Sequence, residues 1–265
     1  MPFAETAGAR IYYTDTGGDL PTILFMHGFL LDTRFFEHQV AELSSEYRVL
    51  CLDARGHGLT EDFGNEFSFW DQAEDVRAVM DAAEVKTAVL AGMSQGGFTA
   101  LRIALTAPEM VSGLILIGTD GAEYTERQKA GYRFVFDRWV SDPVVDDLML
   151  TLASSMIGGT RDQQQVWIDR WREDDRTRLA GAVDCLIRRD SVETAITAIT
   201  CPSLIIRGSY DQAFSDAAVR ALRDQLGGET QLETIEAPLA SHAVSWTHPE
   251  IVNPLIRVWL KAISG

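Results

Sequence analysis

Apolar residues in the first 121 positions fall into short runs separated by stretches with helical spacing. Residues 22–26, 47–52, 88–91 and 111–117 are the runs, each leading into a glycine-bearing segment or loop. They are short enough for buried strands. Between them, Thr33 is an N-cap candidate for a helix over 33–43. Ser68 stands before a helix over 69–83, with Ala73, Val76, Val79, Met80 and Ala83 at helical intervals. Residues 98–107 form a third helical pattern, closed by Pro108. Alternation of this kind predicts a mostly parallel sheet covered on both faces. Ahead of it, Ile11, Tyr12 and Tyr13, punctuated by Gly8, Gly17 and Gly18, predict an antiparallel pair over 2–16.

The strand pattern stops between 122 and 199. That stretch carries Trp139, Trp167 and Trp171, is interrupted by Pro143 and Gly158-Gly159, and over 163–178 predicts one amphipathic helix. It has the pattern of a helical insert. The sheet then resumes with a strand over 203–207 and a helix over 216–226 that takes Gly227 as its C-cap. A last strand over 230–235 and a closing helix from Pro249 to about Ile263 complete the chain.

The stretch from Ala88 to Gly97 joins strand to helix through Gly92-Met93-Ser94-Gln95-Gly96-Gly97. Side chains at 92 and 96 would collide with the neighbouring strand or helix in so tight a turn. A serine at its tip is held clear of the sheet with its hydroxyl exposed, the geometry of a nucleophile elbow. Serine is a poor nucleophile near neutral pH and needs a base, which in turn needs an orienting acid.

Polar groups collect where the strands end: His27-Gly28-Phe29, 53–58, Ser94, Asp120, Asp211 and His242. In an open α/β sheet the ligand site lies at the carboxyl ends of the strands. Of the five histidines, His38 lies in a helical pattern and is expected on a solvated face, and His248 precedes the closing helix, where a capping or surface role is expected. His27 and His57 are bracketed by glycines, as loop supports. His242 follows the last strand and is the expected base; imidazole titrates near ~6.5. Asp211, in the compact turn 208–211, is the preferred acid and Asp120 the alternative; both keep the chain order Ser-Asp-His. The backbone N–H groups of Gln95, at the helix start, and Phe29 are the expected oxyanion donors.

Composition narrows the partners. The net charge of −16 repels nucleic acid and anionic membrane surfaces and favours a small-molecule substrate. No apolar run reaches the ~18 residues of a bilayer span. The first residues lack a basic start and an apolar core, so a cytoplasmic location is expected. Cys51, Cys185 and Cys201 have no metal-like spacing and are expected as buried thiols, without a disulfide framework.

Taken together, His27-Gly28-Phe29, Asp53-x-Arg55-Gly56-His57-Gly58, Gly92-Met93-Ser94-Gln95-Gly96-Gly97, Gly208-x-x-Asp211 and His242 resemble the α/β-hydrolase fold superfamily over essentially the whole chain. Within it the chain looks most like small capped esterases, 3-oxoadipate enol-lactonases and cofactor-free haloperoxidase-like proteins. The resemblance implies an α/β fold with a mostly parallel eight-stranded sheet flanked by helices. The core would be 1–121 and 200–265, with 122–199 a helical cap, and neither cofactor nor metal would be needed. Three positions depart from the common pattern. Ser241 stands where glycine often precedes the histidine, Gln95 where methionine often follows the nucleophile, and Phe214-Ser215 where a proline often follows the acid. Ser94 itself is like the esterase branch and unlike haloalkane dehalogenases and epoxide hydrolases, which carry aspartate there.

The expected activity is hydrolysis of a small ester or lactone through an acyl-Ser94 intermediate. Carbon–carbon bond hydrolysis and a receptor role on the same fold are the alternatives. Met93, Trp139 and Trp167 are candidate pocket residues. Arg133, Arg138 and Arg170 are candidate partners for a carboxylate-bearing substrate.

Overall fold

The computed structural model describes residues 2–143 and 145–264. Its strands are β1 (Phe3–Glu5), β2 (Ala9–Asp15), β3 (Thr22–Met26), β4 (Arg48–Leu52), β5 (Glu61–Asp62), β6 (Ala88–Met93), β7 (Val111–Ile117), β8 (Ser203–Gly208) and β9 (Thr230–Ile235). They form one nine-stranded sheet in the order β1-β2-β4-β3-β6-β7-β8-β9, with β5 paired to β2. The expected eight strands are the continuous path. The extra one, β5, is two residues of polar sequence, Glu61-Asp62, and leaves no apolar signature.

From β4 to β9 every neighbouring pair is parallel; β1, β2 and β5 add antiparallel pairing at one edge. β6 and β8 are buried along their whole length, as strands covered on both faces must be. The chain passes β3 to β4 on one side and then crosses to β6 on the other. The reversal between β3 and β6 opens a crevice at their carboxyl ends, where His27-Gly28-Phe29 and Ser94 lie.

The helices are α1 (Glu37–Leu43), α2 (Phe69–Ala82), α3 (Gln95–Thr106), α4 (Glu126–Ser141), α5 (Asp146–Leu152), α6 (Arg161–Glu173), α7 (Ala180–Ile187), α8 (Asp216–Gln225), α9 (Val244–Thr247) and α10 (Pro249–Ile263). Between β7 and β8 the described chain makes only helices, α4 to α7 with a π-helical turn over Ala153–Ile157. Their tryptophans supply much of the packing. Trp139 meets Trp171 edge-on at 5.4 Å, and Trp167 meets Trp246 of α9 at 5.7 Å. Among the described residues no helix is long and apolar enough to cross a membrane.

Four expectations need correction. The segment 33–43 is a 3-10 turn, Thr33–Phe36, followed by α1, and its N-cap is Asp32, whose side chain accepts from the Arg34 N–H. α3 starts at Gln95, as the oxyanion assignment expects, and not at Phe98 where the helical pattern begins, because Gly96 and Gly97 belong to the helix. The stretch 163–178 is not one helix. α6 ends at Glu173, Asp174 is extended, and the Asp175 carboxylate caps a new 3-10 turn by accepting from the Thr177 N–H. α8 is closed by Leu226 in an extended conformation, not by Gly227. Gly227 is needed for a different reason: a Cβ there would lie 2.2 Å from the Thr197 carbonyl oxygen.

All three cysteines are free, with Cys51 and Cys185 buried and Cys201 half-buried. Burial pushes the Cys51 and Cys185 thiols up to about 12, so neither is a nucleophile at ordinary pH.

The loop after β4 is tied to α2 by a buried two-pronged ion pair. Arg55 Nε and Nη2 each donate at 2.7 Å to the Asp75 carboxylate. Removing one partner strands a buried charge. Asp75→Ala is therefore expected to lower the unfolding free energy by about 3–5 kcal/mol, measured by urea denaturation. A loss below about 1 kcal/mol, the range of an exposed pair, would contradict the assignment.

Candidate active site

Ser94 sits between β6 and α3 with φ 53° and ψ −114°. A non-glycine residue in that region carries strain of about 1–3 kcal/mol and persists only where its surroundings over-determine it. They do so here. The Ser94 N–H donates to the Ile117 carbonyl at 2.9 Å. The Ser94 carbonyl accepts from the Gly97 N–H at 2.9 Å, the Phe98 N–H at 3.2 Å and the Thr119 hydroxyl at 2.9 Å. The helix can press this close because Gly92 and Gly96 lack side chains. A Cβ on Gly92 would lie 2.3 Å from the Gly96 oxygen, and one on Gly96 would lie 2.1 Å from the Met26 oxygen.

Asp211 and His242, widely separated in sequence, meet at the same end of the sheet. His242 Nδ1 lies 3.0 Å from Asp211 Oδ2, and both residues are buried. The second carboxylate oxygen accepts from the Ala213 and Phe214 N–H groups at 2.8 and 3.2 Å. Burial by itself would raise the Asp211 carboxyl. The His242 charge, its hydrogen bond and the two backbone donors outweigh that and hold the group below its ordinary value. With Nδ1 bonded to a carboxylate, Nδ1 carries the proton and Nε2 is left as the acceptor. The Phe214 ring stacks on the imidazole at 5.6 Å, which gives a packing role to one of the departures noted in the sequence.

Gly118, just past β7, makes room for this pair. Its φ is +52°, and a Cβ would sit 2.9 Å from His242 Nδ1 and 3.0 Å from Asp211 Oδ2. Asp120, the alternative acid, is committed elsewhere. It accepts from Arg189 Nη2 at 2.8 Å, and Arg189 is itself buried between the rings of Phe98 and Tyr124.

Ser94, His242 and Phe29 line one cavity of about 230 Å³. The Ser94 hydroxyl and the imidazole are not hydrogen-bonded in this structure. Separations of this kind commonly tighten when substrate binds. The N–H groups of Phe29 and Gln95 donate to no described residue. Gln95 is the first residue of α3, so its N–H is one of the helix's unpaired donors and sits at the positive end of the dipole.

The loop that carries Phe29 is held from both sides. His27 Nδ1 donates to the Gly28 carbonyl at 2.7 Å, and its Nε2 accepts from the Ala54 N–H at 3.0 Å. His57 Nδ1 donates to the Arg55 carbonyl at 2.9 Å, and its Nε2 accepts from the Leu30 N–H at 3.3 Å. Leu30 has φ 65°, and its carbonyl accepts from the Trp171 indole at 2.7 Å. A tryptophan of the insert thus braces the backbone next to a candidate oxyanion donor. His38 is half-buried and lies 4.8 Å from the Trp246 ring, short of the solvated face expected for it. His248 bonds the Pro238 carbonyl at 3.0 Å at the entry to α10.

The expected pocket residues do not line this cavity. Trp139 and Trp167 are core residues, each 1% exposed. Met93 is buried against Gly28, its sulfur filling the space a side chain there would need. The wall is instead Tyr124, Tyr132, Val135, Phe136, Leu152, Ser155, Met156 and Leu186 from the insert, with Gln212, Ala213 and Phe214 beside Asp211. No sequence motif marks these positions. None of the three arginines considered for a carboxylate lines this cavity. Arg133 pairs with Asp184 at 2.6 Å, Arg138 with Asp147 at 2.7 Å, and Arg170 with Glu37 at 3.5 Å. Among the described residues no group of three or more His, Cys, Asp or Glu side chains is placed to hold a metal ion.

Comparison with known proteins fits this geometry. The family model for the alpha/beta hydrolase fold matches residues 21–249. The chain belongs to the α/β-hydrolase fold family. A putative non-heme chloroperoxidase from Synechocystis is 26% identical, with 97% of each chain covered. The 3-oxoadipate enol-lactonase 1 of Acinetobacter baylyi is 25% identical over 92% of this chain and 90% of its own. Among solved structures, a thermophilic esterase from Thermogutta terrifontis superposes with a TM-score of 0.88 at 22% identity, covering 99% of this chain and 98% of that one. The α/β-hydrolase assignment accounts for the crevice between β3 and β6 and for the elbow at Ser94.

One support of this α/β-hydrolase site has a measurable pH signature. Burial first, and the neighbouring His27 second, push the His57 imidazole down to about 3. The unfolded value is about 6.5. Between these values the unfolded chain binds a proton that the folded chain refuses. The stability this group allows is complete above about pH 6.5 and is lost as pH falls toward about 3. His57→Gln is therefore expected to lose less stability than the parent between about pH 7 and about pH 4, measured by urea unfolding. An equal loss would contradict it.

Proposed function

We propose that the protein is a serine hydrolase that cleaves a small carboxylic ester or lactone through an acyl-Ser94 intermediate. The observation that carries this reading is the Asp211–His242 hydrogen bond in the wall of the cavity that also holds Ser94. The unpaired N–H groups of Phe29 and Gln95 support it further.

Ser94 Oγ attacks the substrate carbonyl carbon while His242 Nε2 takes the hydroxyl proton. The negative charge moves to the carbonyl oxygen, where the N–H groups of Phe29 and Gln95 stabilise it. The tetrahedral centre collapses, the carbon–oxygen bond to the alcohol breaks, and His242 returns its proton to the leaving alkoxide. Water repeats the sequence on the acyl-enzyme, giving up one proton to His242, and Ser94 regains its hydrogen as the acid departs. Asp211 fixes the tautomer throughout and stabilises the imidazolium. The insert 122–199 acts as a cap whose aromatic wall excludes bulk water and strengthens these interactions.

A fluorophosphonate is expected to label the folded protein stoichiometrically, with the adduct at Ser94 by mass spectrometry and no labelling of Ser94→Ala. On an aryl ester, Asp211→Asn is expected to lower kcat by about 10⁴-fold. Asp120→Asn should stay within about threefold in kcat and instead lower thermal stability, since Arg189 loses its partner. Failure of the phosphonate to label, with the fold intact, would favour a receptor over an enzyme.

A further inference from the structure

The Phe29 N–H, a candidate oxyanion donor, belongs to the same peptide group as the Gly28 carbonyl. That peptide is trans, so its C=O and N–H point in opposite directions. His27 Nδ1 donates to the carbonyl at 2.7 Å, which turns the N–H away from His27. The His27 imidazole lines an interior space with Met26, Gln72 and Gly96, apart from the cavity. Phe29 lines the cavity with Ser94, and its N–H donates to no described residue. The bond to the carbonyl also polarises the peptide and strengthens the N–H as a donor.

This grip answers a specific weakness. Position 28 has to be glycine, because a Cβ there would lie 2.3 Å from Met93 Sδ. Glycine leaves the adjoining peptide free to rotate. A flipped 28–29 peptide would present its carbonyl oxygen where the oxyanion develops, and a donor would become a repulsive acceptor.

The next peptide is held by the opposite kind of bond. The Leu30 N–H donates to His57 Nε2 at 3.3 Å. Both rings lean on one loop: His27 Nε2 accepts from the Ala54 N–H at 3.0 Å, and His57 Nδ1 donates to the Arg55 carbonyl at 2.9 Å. A carbonyl can only accept and a backbone N–H can only donate, so both imidazoles are fixed as the neutral Nδ1–H tautomer. The rings lie 5.1 Å apart, and His57 meets the Phe29 ring edge-on at 5.3 Å. The peptides on either side of the Phe29 Cα are thus fixed by two histidines, one through a carbonyl and one through an N–H.

We propose that His27 and His57, on the ester-hydrolase reading above, are positioning residues that aim the Phe29 N–H at the oxyanion, His27 by holding the Gly28 carbonyl and His57 by holding the Leu30 N–H. Neither ring lines the cavity. Their effect therefore falls on the transition state and not on substrate binding.

The two positions call for opposite amides. Asparagine carries its amide nitrogen two bonds from Cβ, as Nδ1 is, and glutamine carries its amide oxygen three bonds out, as Nε2 is. His27→Asn keeps the donor to Gly28, and His27→Gln does not. His57→Gln keeps the acceptor for Leu30, and His57→Asn does not. On 4-nitrophenyl butanoate, the full chain with His27→Gln is expected to lose about a hundredfold in kcat, with KM within about threefold of the parent. His27→Asn is expected to lose less than about tenfold. At position 57 the order reverses, with kcat of His57→Asn about tenfold below that of His57→Gln. The inhibition constant of a trifluoromethyl ketone, which forms the oxyanion, is expected to rise in step with the loss of kcat. That of the matching methyl ketone should stay within about threefold.

A loss of kcat that follows the urea midpoint in all four variants, with no reversal of order between the two positions, would overturn the proposal. So would a trifluoromethyl ketone bound equally well by His27→Gln and the parent. Where one position does not fold with either amide, the order at the other decides. If the phosphonate labels Ser94 but the reversal is absent, only the aiming role falls. If no ester turns over and the phosphonate does not label, the hydrolase reading falls with it.

Discussion

The backbone at Ser94 is held where a residue with a side chain would not rest unaided. Its φ of 53° costs about 1–3 kcal/mol, and the rest of the crevice is built so that this cost is met. The Ile117 carbonyl, the Thr119 hydroxyl and the first turn of α3 fix the peptide groups on either side. Glycines at 92 and 96 let the helix approach β3 and β6 closely enough to make those bonds. The same conformation aims the hydroxyl into the crevice and leaves the Gln95 N–H unpaired at the helix start. One local strain therefore sets the position of both the candidate nucleophile and a candidate oxyanion donor.

Around that fixed point the remaining parts are braced by buried polar contacts. Gly118 lacks the Cβ that would lie 2.9 Å from His242 Nδ1 and 3.0 Å from Asp211 Oδ2, and so leaves room for the pair. His27 and His57 bond peptide groups of two neighbouring loops, and Trp171 reaches across from the insert to the Leu30 carbonyl. Each contact satisfies a group that would otherwise be buried without a partner, at a cost of about 1–3 kcal/mol. The helices between β7 and β8 thus help fix the peptide next to Phe29. Ser241 makes a similar tie on the other side, its hydroxyl donating to the Ser155 carbonyl in the π-helical turn.

The candidate site residues were legible in the sequence because they sit at strand ends, where glycines and polar residues interrupt apolar runs. Ser94, Asp211 and His242 each stand at such an interruption, and the structure brings them to one end of the sheet. The crevice wall was not legible. Tyr132, Val135 and Phe136 face it from α4 and share their periodicity with Trp139, which faces the core. Helical spacing says which residues share a face but not what that face meets. Trp167 looked like a substrate contact because it is large and lies in the insert, yet burial among Phe35, Trp246 and Arg170 explains it. Gly118 was visible only as punctuation, since its need for a positive φ arises from two side chains remote in sequence. The break in the helix at Asp174 was missed because 172–178 is an all-polar run with neither proline nor glycine to mark it, while the Asp175 cap starts a new turn.

On the proposed chemistry, Ser94 Oγ, the His242 imidazole and the N–H groups of Phe29 and Gln95 surround one reacting carbon. The most direct measurement is a crystal structure of the protein with a trifluoromethyl ketone that forms a tetrahedral adduct. A covalent bond from Ser94 Oγ is expected, with the adduct oxygen within about 3.1 Å of both N–H groups and His242 Nε2 turned toward Ser94. An adduct oxygen directed away from both donors, or an imidazole that stays out of reach of Ser94, would contradict it.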